Sequence, residues 1–178
     1  MKKNKKMNRT VVIGLGNPIL SDDSVGIHAA RALYPRLEGM GHVEVKELYG
    51  GGLVLMEAMA GFKMAVVIDA MVTGAHEPGS VLTMYVGDTG GADDFKCSRN
   101  LACGHDTGLA EALEVGRSVG YVLPSEVKVI GIEAADVVNF GDNLSPPVSG
   151  ALPLVVEMVL AEVMKDMGPV KQGKAHGR

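Results

Sequence analysis

Three apolar runs constrain this chain more than any other feature: TVVIGLG at residues 10–16, MAVVID at 64–69 and VKVIGI at 127–132. Each is short and almost continuous, as expected of a strand covered on both faces. A strand with one wet face alternates instead. HVEVKEL (42–48) does alternate, and SVLTMYV (80–86) follows the turn-forming stretch VTGAHEPGS. Between the strands the spacing becomes helical. Residues 24–37 put Val25, Ala29, Ala32 and Leu33 on one face, and a short Met-rich helix ends near Gly61. Further helices are expected from about Thr107 to Ser118 and over 150–166, with Pro153 tolerated in a first turn. Strand–helix alternation predicts an α/β fold with a mixed, mostly parallel sheet of about five strands sandwiched between helices.

The length of 178 residues suits one domain with a full core. That domain is expected over 10–167, between a basic disordered tail at 1–9 and a flexible C-terminal tail at 168–178. All 21 acids lie between residues 10 and 168, with only nine of the 17 Lys and Arg, so the body carries −12. Such a body disfavours nucleic acid or an anionic membrane as partner. Residues 1–9 resemble the basic part of a signal peptide, but the next run holds Gly14, Gly16, Asn17 and Pro18, and no small-residue cleavage site follows. No apolar run approaches a membrane span in length. Cys97 and Cys103 do not make a disulfide framework, and a reduced, cytoplasmic, monomeric protein is expected.

The first run continues as VVIGLGNPILSDDSVG, a strand, a glycine turn and two acids where a helix begins. A helix N-terminus suits an anion, whereas two carboxylates there suit a cation. In parallel α/β sheets ligands bind beyond the carboxyl ends of the strands, and three ligand-type residues fall at such places. Asp23 follows the first strand, Asp69 closes the MAVVID strand, and His105 precedes the fourth helical segment. Two carboxylates and an imidazole suit Zn, Ni, Mn or Fe with open coordination positions. Each also has a plain structural reading: a helix cap for Asp22 or Asp23, a turn brace for Asp69, a helix entry for His105. No spacing rule links the three. The glycine turn lacks the third glycine of a dinucleotide site, and Glu47 is the nearest candidate for its ribose acid. His28, His42, His76, Cys97 and Cys103 carry less weight as ligands.

GLGNPILSDDSVG, a glycine-rich turn after the second strand, IDAMVTGAHEPGSV, GHDTGLAEAL and GIEAADVVNFGDNLSPPV occur in that order over residues 11 to about 165. Together they resemble the [NiFe]-hydrogenase maturation endopeptidases, proteins of phosphorylase/hydrolase-like fold. The resemblance implies removal of a C-terminal extension from a nickel-loaded hydrogenase large-subunit precursor. It also implies metal binding at the matching positions Asp23, Asp69 and His105, Asp22 being the adjacent, less favoured ligand; the plain reading of Asp22 is a helix cap. The family often has Asp-Gly-Gly-Thr after its second strand, where this chain reads Tyr49-Gly50-Gly51-Gly52. The resemblance therefore does not carry substrate recognition by that turn.

Two roles for the metal follow. In one, the three residues hold a catalytic metal that activates water. In the favoured one they reach nickel supplied by the precursor itself, which explains how processing waits for nickel and agrees with the absence of a His-Glu-x-x-His helix. Two rival readings stand beside this one. GLGNP also opens peptidyl-tRNA hydrolases, but SDDSVGIHAAR replaces their Tyr and Thr-Arg-His-Asn segments, and the acidic body would repel tRNA. A non-catalytic metal-sensing binding module is the other.

Overall fold

The computed structural model describes residues 9–87 and 108–166. The elements run β1 (Thr10–Leu15), α1 (Val25–Leu37), β2 (Val43–Leu48), α2 (Gly52–Met59), β3 (Met64–Met71), β4 (Val81–Gly87), α3 (Leu109–Ser118), β5 (Glu126–Glu133) and α4 (Pro146–Asp166). A 3-10 turn, Asp22–Ser24, leads into α1. The expected loop over 87–104, both cysteines, His105 and the C-terminal tail lie outside the described residues, apart from Gly87 at the end of β4. So does the basic tail except Arg9, whose guanidinium pairs with Glu44 at 3.3 Å.

The strands form one sheet in the order β2-β1-β3-β5-β4. The first four are parallel, and β4 runs antiparallel to β5. This is the expected mixed, five-stranded sheet. The continuous runs are its three inner strands, and β1, β3 and β5 are buried over almost their whole length. Helices cover both faces. Alternate residues of β1 and β3 divide between two cores, Val12, Val66 and Ile68 packing with α1 and α4 while Val11, Ile13 and Val67 pack with α2 and α3. Burial of these aliphatic side chains contributes roughly 1.5–3 kcal/mol each before chain entropy is counted.

The last helix departs from expectation at its start. It begins at Pro146, four residues before the expected residue 150, because proline suits the first helical turn. Pro153 thus lies in the helix interior, on its exposed side. By length and composition α4 could cross a membrane, with mean hydropathy 1.6 over Pro146–Lys165, contrary to the expectation that no apolar run approaches a span in length. Its buried residues Val148, Ala151, Val155, Val159 and Val163 recur at helical spacing and join the core above β5. That is the pattern of a helix that packs one face on the sheet and leaves the other, with Leu154 and Glu157, in solvent.

The sheet order fixes the place for a site. From β1 the chain moves outward to β2, then crosses back to β3 on the other side of β1. The connections therefore diverge between β1 and β3, and the crevice beyond their carboxyl ends is where such sheets bind ligands.

Candidate functional site at the ends of β1 and β3

Glycines bring the first turn of α1 onto that crevice. A Cβ on Gly26 would overlap the carbonyl oxygens of both Leu15 and Ile68, and one on Gly14 would overlap the carbonyl of Gly26. Only glycine lets the helix start sit this low over two strand ends. Gly16, at φ 152°, lies equally close to the backbone of Asp23. Gly14 pairs with Ile68 in the β1–β3 register, so Asp69 is the next residue beyond that pair. The 3-10 turn carrying Asp23 also contacts β3. Asp23 and Asp69, 46 positions apart in the chain by their numbers, thus converge at one end of the sheet.

Both carboxylates are buried. Asp23 accepts the Asn17 N–H at 3.0 Å, which ties the glycine turn to the start of the helix. Asp69 accepts the N–H of Ala70 at 2.9 Å. Burying two acids at one strand-end crevice gathers carboxyl oxygens, the donor type that suits a divalent cation. Among the described residues alone, no group of three His, Cys, Asp or Glu side chains could hold a metal ion. A third ligand, His105 in the sequence reading, lies outside them.

The Asp22 carboxylate does not cap the helix, contrary to expectation. No side-chain capping bond is made at the start of the 3-10 turn or of α1. Instead Asp22 binds the segment between β5 and α4. Its carboxylate accepts from Ala135 N at 2.9 Å, Asp136 N at 3.0 Å, Ser145 N at 2.6 Å and Ser145 Oγ at 2.9 Å. Four donors saturate a carboxylate. The adjacent acids therefore do different work: Asp22 clasps a distant loop, and Asp23 remains with the crevice.

Glu133, which the sequence reading passed over, is a third buried acid at a strand end. It accepts from Thr73 N, Thr73 Oγ1 and Gly74 N, bracing the turn after β3. The signal was available, since an acid closing an apolar strand is what singled out Asp69. The histidines given little weight do not join the two acids. His28 sits in α1, where burial, and then the positive charge of Arg31, hold its pKa below the ordinary value against the opposing pull of Glu47. His42 lies just before β2, and His76 lies in an exposed turn. The glycine run 50–52 is a helix entry, with Gly52 at φ 55° opening α2. A surface groove of about 620 Å³ lined by Tyr34, Leu37, Met40 and Val43 lies at the opposite, amino-terminal end of the strands. It is remote from the two acids.

Comparison with known proteins bears on what this arrangement does. Residues 27–162 match the family described as hydrogenase maturation protease. The chain is 27% identical to the hydrogenase expression/formation protein HupD of Rhizobium leguminosarum bv. viciae over 95% of this chain and 80% of that one. It is 26% identical to the hydrogenase 2 maturation protease of Escherichia coli (strain K12), over 86% and 89% respectively. Among solved structures, the fold resembles the hydrogenase maturating endopeptidase HybD from E. coli (TM-score 0.69, 24% identity, covering 88% of this chain and 93% of that one). It also resembles the [NiFe] hydrogenase maturation protease HybD from Thermococcus kodakarensis (TM-score 0.67, 22% identity, covering 87% and 99%).

Proposed function

The chain belongs to the hydrogenase maturation protease family and is a peptidase that processes a hydrogenase precursor, and from that premise we propose what its crevice recognises. Its substrate is a nickel-loaded [NiFe]-hydrogenase large-subunit precursor, from which it removes a C-terminal extension. Asp23, Asp69 and His105 approach the nickel that the precursor carries. The metal is thus part of the substrate and reports that insertion is complete.

The observation that carries this reading is the convergence of Asp23 and Asp69, from separate strand–helix units, at the crevice between β1 and β3. Carboxylate and imidazole groups suit nickel, and coordination positions remain for the precursor's own ligands. Nickel held at the crevice would fix where the bound chain lies, so that the scissile peptide is positioned before any bond is broken. Asp22 and the glycine contacts supply the rigidity: one ties the neighbouring loop down, and the others hold the helix start against the strand ends.

The test uses two forms of one precursor, nickel-loaded and nickel-free, each incubated with the purified chain. The proposal expects a shortened large subunit from the loaded form alone. Efficient cleavage of the nickel-free form with free metal added would show that recognition of bound nickel is not required.

A further inference from the structure

The segment between β5 and α4 keeps its backbone firmly bound while leaving its largest apolar side chains in solvent. Phe140 is 81% exposed, Val138 71%, and Ile19 on the facing β1–α1 connection 56%. Leu20 and Phe140 form an isolated antiparallel bridge, Gly141 N donates to Ile19 O, and Ser21 N donates to Asn139 O. Asp136 accepts from the Val138 and Asn139 amides, and these bonds hold its carboxyl below the usual range. The four bonds to Asp22 close the loop. A loop so fully bonded has no polar reason to keep a phenylalanine in water. Exposed apolar residues gathered on a rigid rim mark a docking surface.

The surface has a sign as well as a polarity. No Lys or Arg occurs between residues 10 and 30 or between 129 and 164, while Asp136 and Asp142 flank the exposed side chains. The rim is also continuous with the site, because Asp22 clasps this loop and Asp23 is the next residue. We propose that Val138 and Phe140 form a preformed lip that docks a segment of the precursor. That segment carries an aliphatic or aromatic anchor beside a basic side chain. The lip sets affinity for the precursor without taking part in bond cleavage. This inference rests on the protease reading above.

The test is steady-state cleavage of a nickel-loaded large-subunit precursor by the wild-type chain, by Phe140→Ser and by Val138→Ser/Phe140→Ser, with circular dichroism to verify the fold. Both side chains project into solvent, so the variants should fold. The lip predicts a KM raised about tenfold or more in the double variant with kcat nearly unchanged. It also predicts a KM that rises with salt in the wild type as the basic anchor is screened. An unchanged KM in folded variants that still cleave overturns the lip and leaves the protease reading standing. A fall in kcat at constant KM overturns it too. Absence of cleavage by the wild-type chain overturns the protease reading, and the lip falls with it.

Discussion

Asp22 and Ser145, 123 positions apart, meet through two hydrogen bonds, from Ser145 N to Oδ1 at 2.6 Å and from Ser145 Oγ to Oδ2 at 2.9 Å. This pairing fastens the start of α4 and the loop before it to the 3-10 turn carrying Asp23. Removal of the carboxylate leaves the Ala135, Asp136 and Ser145 amides without their acceptor. Asp22→Ala should therefore cost about 3 kcal/mol, the scale of several lost charge-assisted bonds. Urea unfolding should show an earlier midpoint, and amide exchange at these three positions should accelerate in the native state.

The floor of the crevice has no room for a side chain at Gly26. A methyl group there meets two carbonyl oxygens, those of Leu15 and Ile68, and neither strand can retreat without breaking the sheet. Gly26→Ala should destabilise by about 3 kcal/mol or more through overpacking. The helical preference for alanine over glycine, weaker in this first turn than in a helix interior, offsets at most about 1 kcal/mol of that. Thermal unfolding should begin well below the wild-type temperature.

Lys128 on β5 donates to Glu162 on α4 at 2.5 Å, with both side chains mostly buried. The lysine bond is the main cause holding Glu162 below its usual pKa. Burial lowers the Lys128 value, but the bonds to Glu162 and Tyr85 together outweigh it and raise the net value. The pair's contribution should be complete above the ordinary glutamate range and decline as pH falls through the lowered Glu162 value. At the alkaline end it should be complete below the ordinary lysine value and decline as pH rises through the raised one. Glu162→Leu alone should cost about 3 kcal/mol by stranding a buried ammonium, and adding Lys128→Met should recover most of that. Urea denaturation of both variants across pH checks the sign and the recovery.

The inner strands were legible because burial on both faces removes alternation, and β1, β3 and β5 fall within one or two residues of their expected ends. Asp69 stood out for a local reason, an acid after an apolar run, but it does not close the strand: β3 continues to Met71, and Asp69 pairs with Gly131 inside it. The role of Asp22 was not. A helix cap is signalled by near neighbours, whereas its actual donors are 113 to 123 positions away. The expected helix starts late because Pro153 was given the first-turn place, whereas Pro146 and Pro147 hold it, their missing N–H groups falling where a helix leaves donors unpaired. Glu133 carries a local signal, an acid closing an apolar strand, but what it braces, Thr73 and Gly74, becomes visible only once β3 and β5 pair.

The central claim is that the crevice between β1 and β3 is where the precursor's nickel is recognised and its extension removed. The most direct measurement is the intact mass of a nickel-loaded large-subunit precursor after incubation with the wild-type chain, Asp23→Asn, Asp69→Asn or His105→Ala. Circular dichroism verifies that each variant is folded. The account predicts a shortened subunit with the wild type and an unshortened one with each variant, a loss of at least about a hundredfold in rate. Processing at the wild-type rate by folded Asp23→Asn and Asp69→Asn would contradict it.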